Sequence, residues 1–571
     1  MPGPIRPKDL IYALDERPPL PQLVLLGFQH VAYIIPYLVI IALIVRASGE
    51  SLDVAHNALS LGMIALGAMT VLQSLDLKIV GSGFLAPPVV SAIYLPPCLT
   101  AAHAGGLSLV CGMIVVAGLV EAAFAWVILN LRQVFPPVIS GFIVLAVGHE
   151  LGFIGVKSFL DVAAADQAPF GAHIAVALLT LAFMVGFSVW GRGLVRLFCT
   201  LNGLILGWIA ALLLGAVPER EMAHVAKVPW LALPDPSFLS YSVDLDLLPP
   251  FVIACIAAAL RVTGVITTCE KINDAGWTRP DYRRIRGGIV ADGLGCALGG
   301  ALGAPGLSAG PSLVGVEKTT GATSRVIAWA IAGWFVVLSF FPKVSASLLA
   351  MPMSVIGAAL VFSASFMVVA GIQIITSRPV TLRTTFIVGL SLLFSVSRSL
   401  FPAFFDDLPE ALHALTGSIV SLAVLLSVGL NLIFMPGRRR TLVATVGGEG
   451  LPARDIEHVL REEAEQLEVP AAALERAAAT VRELSEILTA GQHAQGPITA
   501  KVSYDDLDLV VELEYEGTLP YIASEQDPGR EMIEEQSFAL GLSGFLSGVF
   551  PDRMQRSSDG RRCRIRLTFY A

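Results

Sequence analysis

The sequence predicts an all-α polytopic membrane protein that carries a soluble α/β domain after its last membrane segment. Three observations support this prediction. Of the 571 residues, 55% are hydrophobic and only 15% are charged, whereas soluble domains contain about 25% charged residues. Apolar runs long enough to span a bilayer, about 17–25 residues, follow one another as far as Met435. Beyond Met435 the chain becomes polar, and short segments alternate in hydrophobicity as strands do.

Fourteen apolar runs of spanning length can be counted. They lie near residues 23–46, 54–74, 84–104, 106–130, 135–156, 172–190, 194–217, 248–270, 285–303, 306–323, 325–348, 350–376, 380–401 and 415–435. The third and the tenth are interrupted by glycine and proline, so we expect two short broken half-helices there. The predicted domains are an N-terminal segment (1–22), a membrane domain (23–436), a linker (437–447) and an α/β domain (448–571).

The distribution of charge predicts orientation and excludes one class of partner. Lysine and arginine collect in alternate loops, as at Arg283, Arg284 and Arg286, whereas the segment from Glu219 to Asp246 on the other side is acidic. Basic loops remain inside, so both termini should be cytoplasmic. The expected bilayer is the inner membrane. The net charge is −8, and the acidic residues lie mostly outside the apolar runs. Nucleic acid is therefore not expected as a partner.

Residues that carry enzymatic chemistry form no recognisable group in the apolar runs. The seven cysteines are scattered, and none forms a pair with metal-binding spacing. A nucleophile triad and a phosphate-binding loop are also missing from the spans. We therefore expect neither an enzyme, nor a metal site, nor an organic cofactor.

The two interrupted segments predict a binding site. They read GSGFLAPPVVSAIYLPP (Gly81 to Pro97) and GAPGLSAGPSLVG (Gly303 to Gly315), and each is third in its set of seven spans. Seven is an odd number, so the two halves must be inverted relative to each other. Paired interruptions of this kind indicate a transporter site, where half-helix N-termini point at one place near the middle of the bilayer. Glu270, a carboxylate at the end of an apolar run, is the expected acid of this cavity.

Several motifs resemble those of the nucleobase/ascorbate transporter family, also called nucleobase cation symporter family 2. These motifs are LGFQH (26–30), GSGFLAP (81–87), FPPVISGFIVLAVGHELG (135–152), EKIND (270–274), RGGIVADGLG (286–295) and VGVEKTTGATSR (314–325). The resemblance implies a seven-plus-seven inverted repeat with core and gate domains, commonly a homodimer. It also implies a symporter for a small molecule, a nucleobase-type heterocycle such as xanthine, uracil or uric acid, with H⁺ or Na⁺ as the coupling ion.

The resemblance also implies which residues bind the substrate. Glu270 takes the place of the eighth-span acid that accepts hydrogen bonds from the base and couples proton binding. The alternative is a helix-end acid paired with Lys271 or with a basic loop residue. Ser312 stands where the family has Gln or Glu, so the group that reads the base edge is a short hydroxyl here. Phe84, which follows Gly83, matches the aromatic residue that stacks on the base.

Other polar residues in the apolar runs are expected to support the substrate site. Gln29 and His30 match the family's first-span pair and are expected to form a hydrogen-bond network around the site. Glu317 either replaces the missing tenth-span carboxylate as a coupling residue or forms a salt bridge with Lys318 or Arg325. The glycines between residues 287 and 303 should permit close helix packing.

Two charged residues within the eighth and ninth spans remain. Arg261 and Asp292 are expected to form an ion pair between these helices rather than to bind the substrate.

The C-terminal region predicts helices at residues 455–468, 470–490 and 531–549 and strands at 498–504, 509–515, 553–556 and 562–569. This order weakly resembles the GHKL-type ATPase fold. Ile487 stands at the place of the magnesium-binding Asn, and Tyr515 at that of the adenine-reading Asp. We therefore expect a degenerate, regulatory module that does not bind ATP.

Two further functions are compatible with the sequence. One is a transporter-derived receptor that signals through the C-terminal domain, and the other is an anion carrier of the sulfate-permease type. Uptake of labelled bases would distinguish a transporter from a receptor, because a receptor binds without accumulating its ligand.

Overall fold

The chain forms two compact units, divided between Leu430 and Asn431. The first is helical, and the second contains a five-stranded sheet. The computed structural model describes residues 5–8, 10–127, 134, 136–160, 170–192, 194–217, 219–277, 280–376, 380–409, 412, 416–435, 440–446, 469, 471–490, 493–495, 498–504, 508–519, 551, 553–559 and 562–570.

The first unit consists of helices and two very short strands. In chain order they are α1 (Leu20–Ile34), α2 (Val39–Ala47), α3 (Leu52–Ser74), β1 (Pro88–Val90), α4 (Leu95–Phe124), α5 (Pro137–Leu160), α6 (Phe170–Val189), α7 (Leu194–Leu197), α8 (Cys199–Leu213), α9 (Glu219–Lys227), α10 (Leu248–Asn273), α11 (Tyr282–Ala301), β2 (Leu307–Ala309), α12 (Pro311–Thr320), α13 (Ile327–Ser339), α14 (Pro342–Leu349), α15 (Met353–Ile375), α16 (Leu382–Leu400), α17 (Pro402–Asp406) and α18 (Ile419–Ile433). Two 3-10 turns, Ile35–Leu38 and Ala92–Tyr94, precede α2 and α4.

Seven helical segments among the described residues are long and apolar enough to cross a membrane. They are Leu20–Ala47, Leu52–Ser74, Ala92–Phe124, Val138–Leu160, Gly171–Val189, Leu248–Asn273 and Met353–Ile375. An eighth would be the pair α13 and α14, which bends by 82° at its break. The protein is therefore a helical, multi-pass membrane protein, as its composition predicted.

Helix α4 contains a break that the sequence placed between two spans. Gly105 and Gly106 have non-helical backbone angles, and Gly106 has a φ of 70°, a conformation that costs glycine little. The break lies between the expected spans 84–104 and 106–130. One continuous segment therefore corresponds to parts of two predicted spans.

The two interrupted segments meet as an antiparallel strand pair. β1 and β2 pair in the register Pro88 to Ala309, Val89 to Ser308 and Val90 to Leu307. Non-helical backbone within a bilayer must find hydrogen-bond partners in the protein, and each strand supplies them to the other. The sequence predicted that these segments are broken and converge, the family resemblance implies that each is half strand and half helix, and the structure has a short strand in each.

Glycines bring the backbones of α4 and α11 into direct contact. A Cβ atom on Gly293 would lie 2.5 Å from the carbonyl oxygen of Gly118, and a Cβ on Gly118 would lie 2.5 Å from that of Gly293. No side chain fits between the helices at this point. The predicted packing role of the glycines in this region is confirmed.

The second unit contains an antiparallel sheet of β3 (Arg440–Val446), β4 (Ile498–Tyr504), β5 (Asp508–Glu516), β6 (Arg553–Asp559) and β7 (Arg562–Tyr570) in the order β3-β4-β5-β7-β6. A helix, α19 (Ala471–Ala490), contributes Val481 and Leu488 to the core that the sheet forms with Val511 and Ile565. The helix and the four strands predicted here are confirmed. The helices predicted at 455–468 and 531–549 lie outside the described residues.

The predicted linker differs from the structure. Residues 440–446 fall within it, yet they form β3 and pair with β4 along their whole length. Their sequence, RTLVATV, is rich in the β-branched residues that strands prefer.

We expect Gly293→Ala to destabilise the membrane unit. The added methyl group would press on the backbone of Gly118 and Ala122 at about 2.5 Å, and overpacking of this kind costs roughly 1–3 kcal/mol. Thermal unfolding of the purified protein in detergent measures the effect. The matched control is Gly333→Ala on α13, where a Cβ meets nothing within 4 Å. Equal melting temperatures for the two variants would contradict the close contact.

Candidate functional site

Two helices of the membrane unit begin beside the strand pair. Ser91 caps the turn that leads into α4, and its hydroxyl accepts a hydrogen bond from the N–H of Ile93. Gly310 precedes α12 without providing a side-chain cap, and Pro311 is the first residue of that helix. The strands between these starts have three residues each, which corresponds to about 10 Å. Because the first N–H groups of a helix carry partial positive charge, both starts attract electron-rich groups.

Arg261 of α10 reaches the start of α4. Its Nη2 atom donates a hydrogen bond to the Ser91 hydroxyl at 3.1 Å. The arginine is only 5% exposed, and its Nε atom has no hydrogen-bond partner in the described part of the chain. Arginine keeps its charge in proteins. A full positive charge therefore lies at a helix start within the membrane unit.

Tyr37 connects this region to the start of α12. Its hydroxyl lies 3.4 Å from the hydroxyl of Ser312, and the 3-10 turn that carries it packs against β1. Tyr37 belongs to the 3-10 turn between α1 and α2. We call Tyr37, Ser91, Arg261 and Ser312 the strand-pair site.

Open space lies along α10 and α12 next to these residues. A Cβ atom on Gly264, one turn after Arg261, would meet nothing within 4 Å, and the same holds for Gly315, which follows Ser312 by three residues. Thr268, one turn beyond Gly264, is exposed. An added methyl group would therefore fit at both glycines.

Two buried carboxyl groups, those of Asp292 on α11 and Glu121 on α4, lie near Arg261. Asp292 accepts hydrogen bonds from the backbone N–H of Ala309 at 2.8 Å and from the amide of Gln73 at 3.3 Å. Glu121 accepts one from the hydroxyl of Tyr94 at 2.9 Å. The second oxygen of each carboxyl group, Oδ2 of Asp292 and Oε1 of Glu121, has no hydrogen-bond partner among the described residues.

Arg261 and Asp292 interact through their charges but not as the direct ion pair that the sequence predicted. The hydrogen bond of Arg261 goes to Ser91, and those of Asp292 go to Ala309 and Gln73. Asp292 therefore binds the backbone of β2, while Arg261 binds Ser91 at the start of α4.

Glu270 lies in the last turn of α10. Its carboxylate accepts hydrogen bonds from the indole N–H of Trp277 at 3.1 Å and from the backbone N–H of Asp281 at 3.1 Å. It is 6% exposed, so protein groups satisfy most of its oxygen lone pairs. These contacts are made with the α10–α11 connection rather than with Lys271, whose ammonium lies over the Trp277 ring. The role of Glu270 as the substrate acceptor stays a prediction.

Gly83 and Phe84 belong to the same neighbourhood as Glu270. The guanidinium of Arg284 lies over the Phe84 ring at 4.6 Å from its centre, and a Cβ on Gly83 would lie 3.3 Å from the same guanidinium. Leu85, the next residue, has its carbonyl oxygen 3.8 Å from the thiol of Cys269. The structure thus places Gly83 and Phe84 beside Arg284, while Ser312 contacts Tyr37.

Gln29 and His30 are buried in α1. The Nδ1 atom of His30 donates to the carbonyl oxygen of Leu26 in its own helix at 2.8 Å, which leaves Nε2 as the acceptor in the neutral ring. Within the described chain neither that atom nor the Gln29 amide nitrogen has a partner. The expected network around the site therefore stays a prediction.

Glu317 is 1% exposed in α12, and its Oε1 atom has no hydrogen-bond partner among the described residues. Of its two expected salt-bridge partners, Arg325 pairs with Asp15 and Lys318 is exposed. Glu317 lies close to Cys269, which precedes Glu270. Its burial is compatible with the predicted coupling role.

Comparison with known proteins establishes the family. The profile of the permease family that groups xanthine and uracil permeases matches residues 21–404, more than half of the chain. The chain belongs to the xanthine/uracil permease family. Its homologues are transporters, and it is a permease rather than an enzyme.

Curated relatives match this permease over nearly their whole length. The xanthine permease XanQ of Escherichia coli (strain K12) is 29% identical over 446 residues, which are 76% of this chain and 95% of XanQ. The nucleobase transporter PlUacP of Paenibacillus larvae is 25% identical over 73% of this chain and 95% of its own. Among solved structures, SLC26A9 has a TM-score of 0.50 at 13% identity and covers 75% of this chain and 67% of its own. That likeness concerns the fold alone.

Sequence reasoning missed three residues of the permease's strand-pair region. Ser91 and Tyr37 gave no signal, because a serine and a tyrosine near a span end are common. Glu121 did give one, as an acid inside an apolar run, and such a residue indicates a functional or paired group. Arg261 is likewise a charged residue inside an apolar run, but the sequence predicted an ion pair for it.

We expect Asp292→Ala to lower the stability of the permease markedly. The change would leave the N–H of Ala309 and one N–H of the Gln73 amide, whose other bond goes to Gly288, without their buried acceptor. Hydrogen bonds to charged groups contribute about 1.5–3 kcal/mol each. Asp292→Asn retains one oxygen and should lose less. Melting temperatures of the two purified variants in detergent test this order, and the reverse order would refute the assigned contacts.

Proposed function

We propose that this permease is a secondary-active transporter that moves a nucleobase-type heterocycle, such as xanthine, uracil or uric acid, together with H⁺ or Na⁺ across the inner membrane. The observation that carries this proposal is the strand pair, with a helix starting beside each strand. Membership of the xanthine/uracil permease family supports the substrate class, because its relatives XanQ and PlUacP are a xanthine permease and a nucleobase transporter.

The finer architecture that we propose has fourteen spans, arranged as two inverted sets of seven, with a core and a gate domain. The antiparallel pairing of β1 with β2 supports this arrangement, because segments related by inversion run in opposite directions where they meet. The concentration of basic residues in alternate loops supports cytoplasmic termini.

We propose that the substrate lies along α10, between the strand-pair site and Glu270. Ser312 is at one end of this path, and Gly83, Phe84 and Glu270 are at the other. Gln29 and His30 would support it from α1. The open positions at Gly264 and Thr268 lie between the two ends on α10.

Ion coupling is proposed to involve Glu270 or Glu317. Both are carboxyl groups on helices that border the path, and both are buried. A buried carboxylate must gain a proton or a cation when its other partners leave, so a change in substrate occupancy can be linked to ion binding.

The second unit is proposed to be a degenerate, regulatory module, and the permease is proposed to be a homodimer. Tyr515, at the position where an adenine-reading acid would be expected, is 3% exposed and donates its hydroxyl hydrogen bond to the carbonyl oxygen of Thr518. Tyr515 is therefore part of the sheet core, and its position offers no carboxylate to an adenine ring.

Uptake of labelled xanthine, uracil and uric acid into cells that overproduce the permease tests the proposed function. We expect accumulation of at least one of them and a loss of about tenfold or more for Glu270→Gln, because the charge that binds the base edge or the coupling ion is gone. The control is Glu50→Gln, an exposed glutamate outside the helices. Wild-type uptake by Glu270→Gln would remove Glu270 from the mechanism.

ATP binding tests the proposal for the second unit. We expect the full-length protein to show no saturable binding of a fluorescent ATP analogue with Mg²⁺ present, because neither Ile487 nor Tyr515 can replace an Asn or Asp ligand. Saturable binding that unlabelled ATP displaces would show that the module is a working nucleotide site.

A further inference from the structure

We propose that Asp53, His56 and His224 bind a transition-metal ion such as Zn²⁺, and that this ion fastens α9 to the start of α3. The inference goes beyond the proposed transport and does not depend on its substrate. The sequence predicted no metal site, because the two histidines lie far apart in the chain and come together only in the fold.

The first argument is the distance between the ligand atoms. Each of the three side chains offers one such atom, and these atoms lie within 4.8 Å of one another. The Oδ1 atom of Asp53 is 4.0 Å from the Nδ1 atom of His56 and 3.9 Å from that of His224. An ion at their common centre would lie at most about 2.8 Å from each atom, and zinc binds its ligands at about 2.0–2.2 Å. Side-chain shifts of less than about 1 Å would therefore complete the coordination.

The second argument is that the three groups do not satisfy one another. Their separations exceed the length of a hydrogen bond, although the imidazole rings of His56 and His224 are only 5.6 Å apart between centres. The Nε2 atom of His224 is buried and has no partner among the described residues. The Nδ1 atom of His56 makes a long contact of 3.3 Å with the carbonyl oxygen of Leu52, which a metal bound at Nδ1 would replace. Direct hydrogen bonds do not explain why these groups converge, whereas a shared cation does.

The third argument is the chemistry of the donor set. Two imidazole nitrogens and one carboxylate oxygen suit zinc, whereas Mg²⁺ and Ca²⁺ prefer oxygen ligands throughout. Three protein ligands leave the fourth position of a tetrahedral ion for water. The side chain of Asp53 is 80% exposed, and those of the histidines are 13% and 14% exposed. An ion can therefore enter from solvent past the carboxylate and meet imidazoles that the fold already holds.

The fourth argument is that the helix carrying the third ligand is held in place. α9 packs against α14, where the ammonium of Lys343 donates to the carbonyl oxygens of Val225 at 2.7 Å and Ala226 at 3.1 Å. Further along the same segment, the N–H of Asp235 donates to the side-chain oxygen of Asn57 on α3 at 3.0 Å. These contacts hold the segment against α3 and α14, so little ordering is needed when the ion binds.

Metal titration of the purified full-length protein in detergent tests the site. The protein is prepared without a polyhistidine tag, stripped with a chelator and titrated with Zn²⁺ by calorimetry. We expect saturable binding of Zn²⁺ that Mg²⁺ and Ca²⁺ do not compete with. Co²⁺ should give the visible absorption bands of a tetrahedral site, and Zn²⁺ should displace it.

Variants of the ligands assign the binding to this cluster. His224→Asn, His56→Asn and Asp53→Asn should each weaken Zn²⁺ binding by about tenfold or more, because loss of even an outer-shell partner has an effect of that size. The matched control is His103→Asn, an exposed histidine of α4 outside the cluster, which should leave the affinity unchanged. Asp53→Asn gives the decisive result if a histidine variant does not fold, because its side chain lies mostly in solvent.

Hydrogen exchange tests the fastening of α9. Zn²⁺ should slow exchange in peptides from Glu219–Lys227 in the wild-type protein and leave it unchanged in His224→Asn. Zn²⁺ binding without this protection would overturn the fastening and keep the site. Absence of saturable Zn²⁺ binding, or binding that survives all three ligand variants, would overturn the site itself and leave the proposed transport standing. Failure to take up any heterocycle, with Zn²⁺ binding intact, would overturn the transport proposal alone.

Discussion

Backbone N–H and C=O groups within a bilayer must find partners inside the protein, and the strand pair of this permease meets that requirement where two spans are interrupted. β1 and β2 satisfy each other, Ser91 donates its N–H to the carbonyl oxygen of Gly306, and Gly310 donates to that of Pro87. The carboxylate of Asp292 then accepts the N–H of Ala309. Only with these bonds in place can two helices begin within the unit and direct their positive ends at a shared region.

The charges beside the strand pair come from elements far apart in the chain. Arg261 is on α10, Glu121 on α4 and Asp292 on α11, and all three are buried. Isolated charges of this kind would cost several kcal/mol each. Their mutual arrangement lowers that cost without exhausting the donors of Arg261. The same residues therefore hold the broken segments together and place buried charges beside them.

Local sequence patterns were sufficient for the helices but not for the contacts between them. Hydropathy indicates a span wherever apolar residues continue long enough, and glycine with proline marks the interruptions, so the helical membrane fold and the two special segments could be predicted. The pairing of Val89 with Ser308 and the bond from Arg261 to Ser91 join residues separated by well over a hundred positions. Such contacts depend on how helices pack, which a single sequence does not reveal. Motif resemblance likewise placed Glu270 near the substrate without indicating its bonds to Trp277 and Asp281.

The backbone contact between Gly118 and Gly293 bears on how a site at the strand pair can face each side of the membrane in turn. Helices that touch through main-chain atoms cannot slide or rotate past one another without breaking that fit. α4 carries one helix start, and α11 holds β2 through Asp292, so the two form a rigid body together with the residues that bind the ligand. Any displacement of the strand pair against the rest of the unit would therefore carry α4 and α11 with it as one block.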